Sequence, residues 1–248
     1  MALALAGCAG HRRETRNIPP APLPSNTPAP LPTEHPPTTG PKIPPPSATP
    51  TPLPAPSDEI RVPENAKVLY SEVGWASWYG PGFQKRKAAN GEVFDTNKMT
   101  AAHRTLPLNS IARVTNLKTG ESVLVRITDR GPFVGDRILD LSRAAARKLS
   151  VYQRGTALVK IEVLETPAPI QSGGRWCVQI GAFPDHEQAA KLKEKLSRRY
   201  HTAKVLQFSS PVGGDWLRIL VADGNKKRAE SLMRETHTSA GIFLVRLD

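Results

Sequence analysis

The stretch "SVLVRITDRGPF", residues 122–133, joins a strand pattern directly to an acidic side chain. Val123, Val125 and Ile127 alternate with other residues, which is the period of a strand buried on one side. The pattern then runs into "DRGP", residues 129–132. A carboxylate followed by a cation, a glycine and a proline is typical of a turn, and it also suits an active site at the end of a strand. Both interpretations stay open at this point.

The charge of the chain indicates an acidic partner. The 248 residues are enough for one or two domains, and they carry a net charge of +12. Residues 1–65 contain five basic and five acidic side chains, so the excess of positive charge lies in the rest of the chain. Such a balance favours nucleic acid, anionic lipid or an acidic polymer as partner, and the alternative is a basic soluble surface.

The two cysteines, Cys8 and Cys177, are too few for a disulfide framework. Cys177 lies in an apolar run and is predicted to be a buried thiol. Residues 1–8, "MALALAGC", are too short to span a bilayer and resemble the truncated end of a lipoprotein signal peptide with its lipobox. We therefore expect lipidation of Cys8 and an anchor at the outer membrane, facing the periplasm. A chance cysteine is the alternative.

Residues 9–66 are predicted to form a disordered, proline-rich tether. Eighteen of the 25 prolines lie between Pro19 and Pro63, and such spacing prevents both helix and sheet formation. The composition is typical of an extended polyproline spacer. A ligand for a proline-recognition domain is the alternative interpretation.

The first folded module is predicted over residues 67–165 and is mainly β. Ser142 is a plausible N-cap for a short helix in "DLSRAAARKL". Mostly β-structure with short connections favours a small barrel. The predicted strands cover 74–79, 110–116, 121–128 and 157–164.

A linker at 166–173 precedes a second module at 174–248. Its strand and helix patterns alternate in the order βαββαβ, which favours a small α/β sandwich of the ferredoxin-like kind. Asp185 and Asn225 are the predicted N-caps of its two helices. The predicted strands are "WCVQIGAF", "AKVLQF", "DWLRILVA" and "GIFLVRL".

The first module holds several groups suited to cleavage of a glycan. Such a site needs a proton donor at the bridging oxygen and a group that activates the attacking hydroxyl. The candidates are Glu92, Asp95, His103 and Asp129. No metal-ligand spacing and no nucleophile elbow is present, so we expect neither a metal nor another cofactor. By itself, however, an aspartate after a strand is more often a turn residue or an ion-pair partner.

Four ordered blocks of this module resemble the rare lipoprotein A family. They are "NGEVFD", "MTAAHRTLP", "ARVTNLKTGESVLVRITDRGPF" and "RILDLSRAAARKL". The resemblance implies a double-psi β-barrel and lytic transglycosylase activity, in which the C6 hydroxyl of N-acetylmuramic acid attacks its own anomeric carbon. It also implies that Asp129 is the catalytic acid and base and that Glu92 and His103 assist it. Tyr79 is a candidate glycan platform.

"RWCVQIGAF" and "WLRILVADG" resemble a SPOR domain, which implies binding of glycan strands that lack stem peptides. By period 2, Gln179, Trp216 and Arg218 are predicted to share the open face of the sheet, where they would bind glycan. The alternatives are a sheet buried against the barrel or in a dimer, and an RNA-binding module. We expect no nucleic acid partner, because a lipoprotein would rarely meet RNA.

These expectations combine into one interpretation. The chain is predicted to be a septal lipoprotein that cleaves denuded peptidoglycan during cell separation, with protein partners left open. The alternative is a septal protein of the same fold that binds peptidoglycan without cleaving it.

Overall fold

Two β-sheets make up the part of the chain that this computed structural model describes, residues 60–63, 65–210 and 213–248. The first sheet is a closed barrel of six strands and the second an open sheet of four. Cys8 and nearly all of the proline-rich stretch lie outside the described residues, so the anchor and tether stay predictions. No helix in the described ranges is long and apolar enough to cross a membrane.

The barrel has the strand order β1-β5-β2-β4-β3-β6. All four strands predicted for it are confirmed, although β1 begins four residues before the expected position at Gly74. Strands β2 and β5 were not predicted, because runs of four and three mostly buried residues are too short to show an alternating pattern. The strands are β1 Tyr70–Trp78, β2 Thr100–His103, β3 Ile111–Asn116, β4 Ser122–Asp129, β5 Leu139–Leu141 and β6 Ala157–Glu165.

Two parallel strand pairs, β1 with β5 and β2 with β4, set the positions of acidic side chains in the barrel. Ala102 on β2 pairs with Asp129 on β4, and on its other side it pairs with Asp140 on β5. Residues paired across a sheet point to the same face. The two aspartates therefore lie on one face, one on either side of the small Ala102 side chain.

Helix α1, Arg143–Lys148, closes one side of the barrel. The predicted N-cap is confirmed, because the Ser142 hydroxyl accepts a hydrogen bond from the Ala145 N–H at 3.2 Å. Ala145 and Ala146 are buried against the barrel core. The core itself consists of aliphatic side chains from all six strands, among them Ala76, Ala101, Val114, Ile127, Leu139 and Ile161.

The second module has the predicted order βαββαβ and forms an antiparallel sheet in the order β10-β7-β9-β8. Both predicted helix N-caps are confirmed: Asp185 accepts from the Glu187 N–H and Asn225 from the Arg228 N–H. Cys177 is fully buried, as predicted. The elements are β7 Trp176–Phe183, α2 His186–Arg199, β8 Lys204–Ser209, β9 Asp215–Leu220, α3 Lys226–Glu235 and β10 Gly241–Arg246.

The prediction that the face of this sheet carrying Gln179 and Trp216 is exposed was wrong. The two side chains are only 3% and 7% exposed. Phe133, which follows the "DRGP" turn of the barrel, packs on Trp216 and on Phe243 with ring centroids 5.6 Å away in each case. The alternative of a sheet buried against the barrel is therefore the one observed, because an aromatic side chain of the barrel fills the space above the sheet.

Main-chain hydrogen bonds also join the barrel to residues 246–248. The Arg246 N–H donates to the Arg104 carbonyl at 3.0 Å, and the Leu108 N–H donates to the Asp248 main-chain oxygen at 3.3 Å. The same oxygen accepts from the Arg130 guanidinium at 2.5 Å. These bonds fix the sheet beside the turn that follows Asp129.

Candidate active site

Asp129, the last residue of β4, accepts three hydrogen bonds. Its Oδ1 atom accepts from the main-chain N–H groups of Arg130 at 2.8 Å and Ala89 at 3.0 Å. Its Oδ2 atom accepts from the Tyr79 hydroxyl at 3.2 Å. The carboxyl group is thereby held in one orientation at the end of its strand.

Burial raises the pKa of Asp129 above that of an ordinary aspartate. The three hydrogen bonds lower it, as does the charge of Arg130, but burial has the larger effect. A carboxyl group with a raised pKa keeps its proton to higher pH. This is the property that a general acid requires.

Tyr79 lies beside Asp129 and is largely buried. Its side chain is only 7% exposed, and a role of its ring as a sugar platform stays a prediction. Its ring packs against Phe83 and Phe94, with centroids 5.2 and 4.8 Å away. Burial and the nearby charges of Asp129 and Asp140 raise the pKa of Tyr79 well above its usual value, so it remains a hydroxyl donor. Its position suits it to orient Asp129.

Asp140 is a second carboxyl group that sequence analysis did not single out. Its Oδ1 atom accepts from the Ser77 hydroxyl at 2.5 Å and lies 3.7 Å from Nε of Arg137. Burial raises the pKa of Asp140, while the Ser77 hydrogen bond and the Arg137 charge oppose the rise. Because β2 lies between β4 and β5, the Cα atoms of Asp129 and Asp140 are about 10 Å apart, twice the spacing of neighbouring strands.

Gly131 leaves open the space beside the Asp140 carboxyl group. Its φ of +147° lies in a region that favours glycine. A Cβ atom placed there would lie 4.0 Å from Oδ2 of Asp140 and 3.8 Å from Cβ of Ala102. The glycine of the "DRGP" turn thus keeps the space next to the Asp140 carboxyl group free of a side chain.

A cleft of about 840 Å³ contains both carboxyl groups. Five cationic side chains and the two aspartates line the cleft, so the net charge of its lining is positive. The sheet of the second module contributes Gln179, Phe208, Trp216 and Arg218 to the lining. The structure therefore brings Asp129, Tyr79 and the three predicted glycan-binding residues of the sheet into one cleft. The cations are Arg86, Lys87, Arg130, Arg137 and Arg218.

His103 does not contact Asp129. It lines a second cavity of about 370 Å³, whose other polar members include Tyr70, Glu72 and Arg104. Its Nδ1 atom accepts from the N–H groups of Thr105 and Leu106 at 3.1 and 3.0 Å, so its Nε2 atom carries the proton and donates to Glu72 at 3.2 Å.

Burial lowers the pKa of His103, although the Glu72 hydrogen bond opposes the effect. The imidazole is therefore neutral at neutral pH. With both ring nitrogens engaged, it fixes the turn at residues 103–106. The carbonyl groups of His103 and Leu106 in that turn accept from the Arg130 guanidinium at 3.0 and 2.6 Å. His103 thus acts on the site only indirectly, through the turn that binds Arg130, the neighbour of Asp129.

Glu92 is exposed and is not among the residues that line the cleft. Its carboxylate lies 3.5 Å from the Arg126 guanidinium. Its carbonyl accepts from the Ala88 N–H at 2.8 Å, closing the turn that supplies the Ala89 N–H to Asp129. The main chain around Glu92 supports the site, whereas a catalytic role of its carboxylate stays a prediction.

One sequence signal could have revealed Asp140. It is the single polar residue between Leu139 and Leu141, which are both fully buried, and it lies two residues before the helix cap Ser142. An acid inside a short apolar run is costly unless it is paired or functional. Among the described residues, no three His, Cys, Asp or Glu side chains cluster as metal ligands would.

Two family models match the chain. Residues 71–161 match the family described as "Lytic transglycolase", and residues 172–242 match the SPOR domain. The first match covers the whole row of Asp129, Ala102 and Asp140. The second covers the sheet residues that line the cleft.

Relatives in three bacteria carry the name "Endolytic peptidoglycan transglycosylase RlpA". The Campylobacter jejuni protein is 37% identical over 223 residues, covering 73% of this chain and 77% of its own length. The Neisseria meningitidis protein is 47% identical, covering 53% and 56%, and the Pseudomonas aeruginosa protein is 52% identical, covering 48% and 33%. This chain thus spans about half the length of the Neisseria relative. From the extent of the Campylobacter match, the chain belongs to the RlpA family.

Proposed function

We propose that this protein is an endolytic peptidoglycan transglycosylase that cleaves glycan strands without consuming water. The observation that carries the proposal is the pair of carboxyl groups, Asp129 and Asp140, on either side of Ala102 in one positively lined cleft. The names of the relatives support the same activity.

In the proposed reaction Asp129 is the general acid and then the base. Its protonated carboxyl gives a proton to the oxygen between N-acetylmuramic acid and N-acetylglucosamine as that bond breaks. The C6 hydroxyl of the same N-acetylmuramic acid then attacks the anomeric carbon, and Asp129 takes up the hydroxyl proton. The product is a 1,6-anhydro end, and Asp129 is protonated again. The raised pKa of Asp129 supports the first step.

Asp140 is proposed to stabilise the positive charge that develops on the sugar ring. Burial raises the pKa of Asp140 as it does that of Asp129, whereas the hydrogen bond from Ser77 and the charge of Arg137 favour its ionised form. A protonated acid and an ionised carboxylate held in different environments are the usual division of labour in glycan cleavage.

His103 is proposed to be a positioning residue, and Glu92 to assist at the rim of the cleft. His103 orders the turn whose carbonyl groups hold Arg130. Glu92 lies on the turn that supplies the Ala89 N–H to Asp129. The hydrogen bonds that the Asp129 carboxyl group accepts come from Tyr79, Ala89 and Arg130, and not from His103 or Glu92.

The SPOR sheet is proposed to bind denuded glycan and to concentrate the protein at the division septum. Gln179, Trp216 and Arg218 supply an amide, an aromatic ring and a cation to the cleft. We also propose that lipidated Cys8 anchors the chain at the periplasmic face of the outer membrane, with residues 9–66 as the tether. The lipobox-like sequence is the support for this anchor.

A glycan-binding role without cleavage is the second candidate. It is favoured by the two main-chain N–H groups that bind Oδ1 of Asp129, because such bonds are also typical of an aspartate that holds a turn. In this case the cleft would grip a strand and Asp129 would be structural.

Product analysis in water labelled with oxygen-18 separates the two candidates. The protein is incubated with amidase-stripped glycan strands, and the products are identified by mass spectrometry. We expect fragments with 1,6-anhydro ends and no label. Reducing ends that carry the label would show that the reaction is hydrolysis and not transglycosylation. Intact strands that remain bound would favour the second candidate.

A further inference from the structure

The sheet of the second module forms one wall of the cleft that contains Asp129. Gln179 and Arg218 are directly paired on β7 and β9, and Phe208 pairs with Trp216 between β8 and β9. All four side chains line the cleft. Because Gln179 and Trp216 are buried, this face of the sheet is not a free flat surface on which a separate strand could lie.

Arg218 is held in place but retains unused hydrogen-bonding capacity. One of its terminal nitrogens donates to Oε1 of Gln179 at 2.9 Å, and its guanidinium lies over the Phe208 ring at 5.1 Å. Its Nε atom is buried and has no hydrogen-bond partner among the described residues. Arg218 also forms no ion pair with any carboxylate in the described ranges, whereas Arg137 pairs with Asp140.

A buried donor without a partner is costly unless a ligand supplies the acceptor. A planar guanidinium binds a carboxylate through two parallel N–H groups, and Phe208 fixes the plane of the Arg218 group. The cleft is positively lined overall, so an anionic group entering it gains from the surrounding charge as well.

We propose that the cleft is a composite site in which Arg218 of the sheet selects the saccharide bound next to the cleavage point. It does so by binding a free carboxylate carried by that saccharide, the lactyl group of an N-acetylmuramic acid without its stem peptide. This inference rests on the proposed function. It adds that one strand contacts the sheet and the barrel together, so that specificity for denuded glycan belongs to the cleavage step itself.

The test compares two tetrasaccharides that are too short to reach a distant binding site. One carries free lactyl carboxylates, and in the other these groups are methylamides. For the full chain, Arg218→Gln should raise the KM for the carboxylate substrate roughly ten- to a hundredfold, as expected for a lost hydrogen-bonded ion pair, with kcat nearly unchanged. For the methylamide substrate, the parent and the variant should have similar KM values.

Two further variants control the comparison. Arg218→Lys keeps the charge without the planar fork and should lie between the parent and Arg218→Gln. Arg228→Gln removes an exposed arginine of α3 that does not line the cleft, and it should behave as the parent does. Thermal unfolding of each variant shows whether the sheet remains folded.

An unchanged KM in folded Arg218→Gln, or an equal rise for both substrates, would overturn the composite site. Affinity measured in an Asp129→Asn background separates this proposal from the proposed function. If no variant cleaves but Arg218→Gln weakens binding of the carboxylate tetrasaccharide alone, transglycosylation fails and the composite site stands. If the parent cleaves and Arg218→Gln changes neither KM nor kcat, transglycosylation stands and the composite site fails.

Discussion

The cleft that contains Asp129 and the second cavity that contains His103 bury titratable groups with opposite results. In the cleft, burial raises the pKa of Asp129, and Gly131 leaves the space next to the Asp140 carboxyl group free of a side chain. In the second cavity, burial lowers the pKa of His103, and both of its ring nitrogens are occupied. One site holds a carboxyl group that keeps its proton to higher pH than an ordinary aspartate, and the other holds a neutral imidazole that supports the main chain.

This difference teaches that residue type does not assign the role of a titratable group. The family resemblance names both as site residues, with Asp129 as the acid and base and His103 assisting it. The hydrogen-bond partners give the physical difference, because a histidine whose two nitrogens bind the protein has none left for a substrate. The predictions below test this separation, from the largest expected effect to the smallest.

Asp129→Asn should reduce cleavage about a thousandfold, within the usual range for loss of a general acid, and leave glycan affinity unchanged. Asparagine keeps the acceptor oxygen for the N–H groups of Arg130 and Ala89. The raised pKa means that the parent loses stability as pH rises from the ordinary aspartate pKa through that of Asp129. The stability of the variant should not show this pH dependence, which unfolding in denaturant at several pH values measures. Cleavage by Asp129→Asn at the parent rate would show that Asp129 is not the general acid.

Asp140→Asn should reduce kcat about a hundredfold, because a neutral amide stabilises positive charge on the sugar far less than a carboxylate. Asp136→Asn is the matched control, since Asp136 is exposed in the same segment of the chain. Steady-state kinetics on glycan strands measures both variants. Equal kinetics of the two variants would leave Asp140 as a structural partner of Ser77.

His103→Ala should lower the free energy of unfolding by about 2–4 kcal/mol, because it leaves buried N–H groups without acceptors. Cleavage should fall about tenfold as Arg130 shifts, while the pH dependence of the remaining activity keeps its shape. His237→Ala removes an exposed histidine and should change stability by less than about 0.5 kcal/mol. A change in the shape of the pH profile for His103→Ala would instead indicate that the imidazole takes part in proton transfer.

Tyr79→Phe should change kcat only a few fold but shift the pH profile. The hydroxyl group lowers the pKa of Asp129 by donating to it, so its removal should raise that pKa. The pH at which cleavage declines on the alkaline side should rise with it. No shift, with Asp129→Asn inactive, would mean that the Tyr79 hydrogen bond is absent in solution.

Most of the fold could be predicted from the sequence, because long amphipathic elements show their period. The second module was predicted element by element, with both N-caps at Asp185 and Asn225. In the barrel, the four longer strands were found and the two short strands were not. Strands β2 and β5 are defined by their partners on both sides, which is information that a local pattern does not contain.

Asp129 could be singled out from the sequence because a motif and a strand end coincide there. Asp140 could not, because it lies on a strand too short to show an alternating pattern. The buried state of Trp216 depends on Phe133, a contact between residues 83 positions apart in the chain. The sequence pattern gave the correct face of the sheet but carried no information on what packs against that face.

The most direct test of the account is a titration of the Asp129 carboxyl group itself. Carbon-13 NMR of protein labelled at aspartate carboxyl groups, assigned with Asp129→Asn, gives its pKa beside the pH dependence of cleavage. The account predicts that the pKa of Asp129 lies above the ordinary aspartate value of about 3.9 and that cleavage declines as this group loses its proton. A pKa at or below the ordinary value, or a decline in cleavage at an unrelated pH, would contradict the assignment of Asp129 as the acid.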